Sequence, residues 1–253
     1  MTESAINNKA DATPRVAIVT GGSRGIGRAV TERLAQQGPV VVGYRSNATE
    51  AESVVAAIRE HGGQAIAVAA DVAEEAQVTN LFDIAEEQFG GVDVVANAAG
   101  LMILGPLVDF ELADLDRVHR TNIRGAFVVS QQAARRLRPG GALVNFSSSV
   151  LGRNLPGYTA YAASKGAVEA MTFILAQEMR GRDISVNAVA PGPTATDMFL
   201  NGKTDEQLAS SAAAAPLGRL GEPSDIADVV AFLASPAGHW INGQTVRANG
   251  GLI

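Results

Sequence analysis

The sequence has no cysteine, only three histidines and no long apolar segment, and each scarcity excludes a class of protein. Without cysteine there is no disulfide framework, no thiol nucleophile and no cysteine-ligated zinc or iron–sulfur site. The histidines, His61, His119 and His239, are scattered along the chain, which argues against a His-rich metal centre. We therefore predict a protein without a metal site.

Basic residues are also in the minority. The 20 Lys and Arg residues are outnumbered by 26 Asp and Glu, and the net charge of −6 argues against nucleic acid as a partner, because binding to phosphate backbones depends on basic side chains. No apolar run approaches the roughly 20 residues that span a bilayer. Residues 1–13 are polar and lack the apolar core of a signal peptide. We expect a flexible tail there, and a cytoplasmic protein.

Apolar residues, by contrast, make up 47% of the 253 residues, enough for one extensive core. Continuous apolar runs, typical of strands buried in a parallel sheet, alternate with stretches that have helical spacing. The strands are predicted at 16–20, 40–44, 65–69, 92–96, 142–146, 184–189 and, more weakly, 244–247. The helices are predicted at 26–37, 50–60, 75–89, 111–137, 160–180 and 225–234. This alternation predicts a single α/β domain over residues 14–253, a doubly wound parallel sheet of about seven strands.

Residues 191–216 depart from the alternation. The segment begins with Pro and Gly and continues as a polar, alanine-rich stretch. A long excursion in a compact α/β domain is usually a lid or a binding loop, and a solvated connection is the alternative interpretation. We expect a substrate lid at about 193–215, with a partly apolar surface from Met198, Phe199 and Leu200.

A glycine-rich turn follows the first predicted strand directly and leads into a helix. Glycines at this position allow a tight turn and a close approach to a pyrophosphate, whose charge is favoured by the free N–H groups at a helix N-terminus. The spacing of Gly21, Gly25 and Gly27 differs from the more common G-x-G-x-x-G pattern. The turn therefore predicts a dinucleotide site, and a purely structural βα turn is the alternative.

Ordered motifs along almost the whole chain resemble the short-chain dehydrogenase/reductase family. They are Thr20 to Gly27, Asp71-Val72, Asn97 to Gly100, Asn122, Tyr161 to Lys165, and Pro191 to Thr196. The resemblance implies a Rossmann-type fold and a nicotinamide cofactor. The cofactor-binding residues that it and the glycine turn predict are Gly21, Ser23, Arg24, Gly25, Ile26, Gly27, Tyr44, Arg45, Ser46, Asp71, Val72, Asn97, Ala98, Gly100, Tyr161, Lys165, Pro191, Gly192, Thr194 and Thr196.

The end of the second strand predicts which nicotinamide cofactor is used. An acid there would bind the ribose diol and repel a 2′-phosphate, but the segment contains Tyr44, Arg45 and Ser46 and no acid. Arg24 in the glycine turn provides a second guanidinium, a group suited to phosphate. This pattern favours NADPH over NADH, unless both arginines are merely solvated surface charges.

Tyr161 and Lys165 are four residues apart in a predicted helix and therefore lie on one face. We expect the ammonium to lower the pKa of the phenol and make it a general acid or base. By resemblance to the family, Tyr161 donates the proton, Lys165 contacts the nicotinamide ribose, Ser148 binds the carbonyl oxygen and Asn122 holds a water for proton relay. Counting from the strand favours Ser148 as the catalytic serine, whereas counting back from Gly152 gives Ser149.

The predicted function is that of an NADPH-dependent carbonyl reductase acting on a small-molecule ketone, similar to 3-oxoacyl-carrier-protein reductases or the polyhydroxynaphthalene-reductase-like branch. One alternative is an NAD-dependent alcohol or polyol dehydrogenase. Another is a dinucleotide-binding regulator without turnover, but that protein would have lost Tyr161, Lys165 or the serine. Excess apolar residues in the helices predicted at 111–137 and 160–180, together with the family resemblance, imply a homotetramer.

Overall fold

A computed structural model of the chain describes residues 14–253, which form a seven-stranded parallel sheet with helices on both faces. The predicted flexible tail, residues 1–13, lies outside the described residues. The strands are β1 Ala17–Thr20, β2 Val40–Tyr44, β3 Ala65–Ala69, β4 Val92–Asn97, β5 Leu137–Phe146, β6 Ser185–Pro191 and β7 Thr245–Ala248. The helices are α1 Gly25–Leu34, α2 Ala48–Glu60, α3 Glu75–Phe89, α4 Leu112–His119, α5 Ala126–Arg136, α6 Thr159–Glu178, α7 Asp197–Leu200, α8 Asp205–Ala214 and α9 Pro223–Leu233. The predicted fold class is confirmed.

The strand order is β3-β2-β1-β4-β5-β6-β7, so the direction of winding reverses between β1 and β4. In open α/β sheets a ligand crevice forms beyond the carboxyl ends of the strands at this switch point. The pairing register sets Thr20 beside Asn97, and Asn97 beside Asn145, at this edge of the sheet. The fold therefore brings the ends of β1, β4 and β5 to one cleft.

The core consists of one apolar layer on each face of the sheet. Helices α3, α5 and α6 cover one face, where Leu81, Phe82 and Val129 are fully buried. Helices α1, α2 and α9 cover the other, with Leu34 and Ile226 in its interior. Each such side chain contributes about 1.5–3 kcal/mol on burial. The central strands are predominantly apolar because both of their faces are covered.

The helix predicted at 111–137 is observed as one continuous helical stretch from Leu112 to Arg136, but it is not α-helical throughout. It is divided into α4 and α5 by a π-helical segment, Arg120–Gly125, and it ends at Arg136. Gly125 packs against the loop after β3 so closely that a Cβ there would lie 2.5 Å from Cγ2 of Val72. Pro139 favours an extended conformation in the residue before it. Strand β5 therefore begins before the strand predicted at 142–146. Single π-helical turns inside α-helices occur often at functional sites.

Residues 191–216 do not form an unstructured excursion, because they contain α7 and α8. Helix α8 begins with a capping box in which the side chains of Thr204 and Gln207 each accept a hydrogen bond from the other residue's backbone N–H. Thr194 and Thr196, which line the cleft, directly precede these two short helices in the chain. In residues 14–253, no helix is long and apolar enough to cross a membrane.

Candidate active site

The carboxyl ends of the strands border a cleft of about 630 Å³. Its floor includes the glycine turn, where Gly21 and Gly25 have φ of +67° and +53°, a backbone region that side chains disfavour. A Cβ on Gly27 would lie 2.1 Å from the carbonyl oxygen of Gly21, so helix α1 can begin here only with glycine. The backbone of the glycine turn is therefore accessible to an anionic group at the start of α1. This cradle fits the pyrophosphate of a dinucleotide.

Two exposed arginines, Arg24 and Arg45, line one end of the cleft, together with Ser46. Neither guanidinium has an ion-pair or hydrogen-bond partner among residues 14–253, so both are free to bind a phosphate. Glu50, which the sequence did not indicate, also lines this end, and one of its carboxylate oxygens is buried without a partner. The charge at this end is mixed, with two cations and one carboxylate.

Asp71, on the same side of the cleft, is held by its neighbours. Its carboxylate accepts hydrogen bonds from Arg120, at 2.8 Å, and from the backbone N–H of Ala73, at 3.0 Å. Burial alone would raise the pKa of Asp71, but these hydrogen bonds and the charge of Arg120 bring it below its ordinary value. Arg120 also pairs with Glu74. The carboxylate is thus ionised and fixed in direction.

Three consecutive serines at the end of β5 have different environments. Ser147 donates a hydrogen bond of 2.6 Å to Glu169. Ser149 is buried, donates to the carbonyl oxygen of Ala190 at 3.0 Å and accepts from the amide of Asn249. Only Ser148 is half-exposed to the cleft, and its side chain interacts with the phenol of Tyr161. Of the two serines that counting left open, the geometry brings Ser148 next to the tyrosine.

Tyr161 and Lys165 lie one turn apart on α6, as predicted, and the Lys165 Nζ is 5.6 Å from the centroid of the tyrosine ring. The ammonium donates a hydrogen bond of 2.7 Å to the carbonyl oxygen of Phe146, at the end of β5. The pair therefore joins the first turns of α6 to the edge of the sheet.

The predicted direction of the pKa shift of Tyr161 is wrong. One edge of the ring lines the cleft, but protein atoms surround the rest, and burial raises the pKa of Tyr161 to about 12; the interaction with Ser148 lowers it, and the phenol of Tyr158 raises it further. Lys165 does not offset this effect because it is desolvated too: burial lowers its own pKa to about 8. The phenol is therefore protonated at neutral pH.

Two predicted residues do not line the cleft. Asn97 is buried beneath it, where its side chain binds Thr20, Asn145 and the carbonyl oxygen of Ala126. Asn122 lies in the π-helical segment, and its amide exchanges hydrogen bonds with the backbone N–H and C=O of Leu101, both at 2.8 Å. Both side chains are thus used inside the protein, and both hold backbone that borders the cleft.

The remaining predicted site residues do line the cleft. These are Gly21, Ser23, Arg24, Gly25, Ile26, Gly27, Tyr44, Arg45, Ser46, Asp71, Val72, Ala98, Gly100, Ser148, Tyr161, Lys165, Pro191, Gly192, Thr194 and Thr196. Sequence reasoning missed Arg153, Tyr158 and Leu252 at the far end. Their only sequence signal is position, because the first two lie in the loop after β5, whose carboxyl end faces the cleft. Within residues 14–253 no group of three metal-ligating side chains comes together.

Fold and site together define a dinucleotide-binding α/β oxidoreductase, and known proteins identify its family. The family model described as Enoyl-(Acyl carrier protein) reductase matches residues 21–253. An Arabidopsis thaliana protein named NADPH-dependent aldehyde reductase-like protein, chloroplastic, is 44% identical, with 94% of each chain covered. A probable tetrahydroxynaphthalene reductase of Zymoseptoria tritici is 41% identical over 93% of each chain.

Among solved structures, a short-chain dehydrogenase from Burkholderia cenocepacia in complex with NADP superposes with a TM-score of 0.89 at 40% identity, covering 95% of this chain and 98% of the other. The chain belongs to the short-chain dehydrogenase/reductase family. It is accordingly an NAD(P)-dependent oxidoreductase, and the family predicted from the motifs is confirmed.

Proposed function

We propose that the protein is an NADPH-dependent carbonyl reductase that converts a small-molecule aldehyde or ketone into an alcohol. The observation that carries the proposal is the convergence of Tyr161, Ser148 and Lys165 at one edge of a cleft that begins at the glycine turn. Preference for NADPH is supported by Arg24 and Arg45, whose guanidinium groups have no hydrogen-bond or ion-pair partner among the described residues. It is also supported by relatives whose names state NADPH or NADP.

In this mechanism bound NADPH supplies a hydride to the carbonyl carbon. The Ser148 hydroxyl donates a hydrogen bond to the carbonyl oxygen, and Tyr161 transfers its proton to the same oxygen as negative charge develops there. Lys165, with a pKa of about 8, exchanges protons near neutrality and returns one to the phenolate. Asp71 and the glycine turn would hold the dinucleotide, and Thr194 and Thr196 would contact its nicotinamide part.

The raised pKa of Tyr161 favours the reductive direction. A phenol with a pKa of about 12 carries its proton at neutral pH, as a proton donor must. Oxidation of an alcohol would require the phenolate, which this buried site disfavours. Initial rates with NADPH and a carbonyl compound, compared with NAD and an alcohol or polyol, distinguish the reductase from the alternative dehydrogenase.

The test is a substrate panel of β-keto thioesters, diketones, quinones, cyclic ketones and aldehydes, followed by consumption of NADPH and NADH. Tyr161→Phe should lower kcat at least about 100-fold, while NADPH binding, measured by the cofactor's fluorescence, persists. Full activity of this variant would remove Tyr161 from its role.

A second comparison separates the serines. Ser148→Ala should lower kcat about 100-fold, since it removes a donor to the developing oxyanion. Ser149→Ala serves as the matched control, because its hydroxyl is used by Ala190 and Asn249. It should reduce thermal stability while kcat stays within about twofold. The reverse pattern would assign the role to Ser149.

A further inference from the structure

Beyond Tyr161 and Ser148, the cleft continues to a guanidinium that the mechanism does not use. Arg153 is half-buried and lines this part of the cleft with Leu155, Tyr158 and Leu252. Its side chain makes no hydrogen bond and no ion pair with any residue in 14–253. The guanidinium therefore keeps its hydrogen-bond donors available to a molecule bound in the cleft.

Arg153 is close to the reacting groups through Tyr158. Burial raises the pKa of the Tyr158 phenol, and the charge of Arg153 opposes that rise. Tyr158 in turn acts on the phenol of Tyr161. Arg153, Tyr158 and Tyr161 all line the same cleft, so the guanidinium and the proton donor face one bound molecule.

The loop that carries Arg153 and Tyr158 has a defined conformation. The backbone N–H of Arg153 donates to the carbonyl oxygen of Val150 at 3.0 Å, and that of Gly105 donates to the carbonyl oxygen of Gly157 at 3.0 Å. Asn154 adopts φ of +50°. These bonds fix the backbone from which the Arg153 side chain extends, so binding of a ligand orders the side chain but not the loop.

Other charges at this end of the cleft do not neutralise Arg153. Lys203 is a second cation, but it donates to the carbonyl oxygen of Phe199 at 2.6 Å and lies 4.2 Å from the centroid of the Phe199 ring. Asp197, the acid that borders this region, is exposed and forms no ion pair with Arg153. The substrate end of the cleft is thus positive.

We propose that Arg153, together with the Tyr158 hydroxyl, binds an anionic oxygen group of the substrate, a carboxylate or a phenolate, while its carbonyl is reduced at Tyr161. Guanidinium is suited to such groups because it donates two parallel hydrogen bonds. The inference rests on the proposed function and makes it more specific: the preferred substrates are carbonyl compounds that carry a negative charge.

The kinetic test uses meta-carboxybenzaldehyde and its neutral methyl ester. Arg153→Gln should raise KM for the acid at least about tenfold and KM for the ester less than about twofold. Arg153→Lys should restore part of the preference because it keeps the charge. Lys203→Met is the matched control, a cation of the same cleft that is already bound to Phe199, and it should leave the ratio of the two KM values unchanged. Equal effects of Arg153→Gln on both substrates would overturn the proposal.

A binding measurement separates this inference from the proposed function. The NADPH-loaded protein should bind naphthoate more tightly than naphthamide, in a manner weakened by salt and by Arg153→Gln. If naphthoate binds in this way but no carbonyl compound is reduced, the reductase proposal fails and the anion site stands. If carbonyl compounds are reduced but naphthoate and naphthamide bind alike, the anion site fails.

Discussion

At the residue scale, we expect Lys165 to set the pH dependence of the proposed reaction. Burial lowers its pKa to about 8, whereas Tyr161, with a pKa of about 12, stays protonated over the working range. We expect kcat for reduction to be constant below about pH 7 and to fall as the pH rises through 8, because the lysine then loses the proton that it returns to Tyr161. A profile that stays flat to about pH 10 would contradict this assignment. Circular dichroism at each pH shows that the chain remains folded.

We expect Arg24 and Arg45, which line the cleft, to set the selectivity for the cofactor. Replacement with Arg24→Ala and Arg45→Asp should raise KM for NADPH at least about tenfold and change KM for NADH much less, because only NADPH carries the 2′-phosphate. Arg28→Ala is the matched control, since Arg28 is an exposed arginine of α1 that pairs with Glu32 and does not line the cleft. Equal weakening of both cofactors would count against the phosphate contact.

At the scale of elements, a network of buried hydrogen bonds links the central strands to each other and to two helices beneath the cleft. The amide of Asn145 in β5 accepts hydrogen bonds from Asn97 in β4 and from Ser130 in α5, and donates to Thr172 in α6. Asn145 is fully buried. Because unpaired buried polar groups are costly, the network makes the stability of these four elements interdependent.

Asn145→Leu should therefore lower the free energy of unfolding by about 3 kcal/mol, since three buried partners are left with unmet hydrogen bonds. Ser130→Ala, which removes a single donor at the edge of the network, should cost about 1 kcal/mol. Thermal unfolding at fixed protein and cofactor concentrations measures both. Equal stability of Asn145→Leu and the parent chain would show that these hydrogen bonds contribute little.

Helices and strands that are determined by residues close in sequence could be predicted, whereas those that depend on tertiary contacts could not. Strands β2 and β3 were predicted to the residue because buried parallel strands are continuous apolar runs. The π-helical segment Arg120–Gly125 was not predicted because the helical spacing continues across it, and the close contact of Gly125 with Val72 is tertiary. Helix α8 was missed because its alanine-rich stretch lacks an apolar stripe, although its capping box begins at Thr204 in the sequence.

The same distinction applies to the site. The glycine turn and the Tyr161–Lys165 spacing are local, and their place in the cleft followed from the sequence. The pKa of Tyr161 did not, because it depends on how many atoms of other elements surround the ring. Arg153 and Tyr158 escaped prediction for a related reason: they lie in a loop, whose path relative to the cleft is set by contacts with Gly105.

On the scale of the whole molecule, two sets of exposed apolar side chains bear on assembly, which the sequence predicts to be a homotetramer. Phe127 in α5 and Phe173 and Ile174 in α6 form the first set; Ile174 is 61% exposed. Phe232 in α9 and Trp240, which is 98% exposed, form the second. Large exposed apolar patches are typical of protein interfaces, and two separate self-complementary surfaces build a tetramer of two-fold symmetry.

Light scattering should therefore give a mass of about four times the 26.1 kDa of one chain. Ile174→Asp should disrupt only the first surface and Trp240→Asp only the second. The free energy needed to bury an unpaired carboxylate exceeds the stabilisation that an interface of small area provides. Each single variant should then be a dimer, and the double variant a monomer. Phe127→Leu is the conservative control and should remain tetrameric. A parent chain that scatters as a monomer at all concentrations would refute the predicted tetramer, and a single variant that dissociates completely would show that one surface depends on the other.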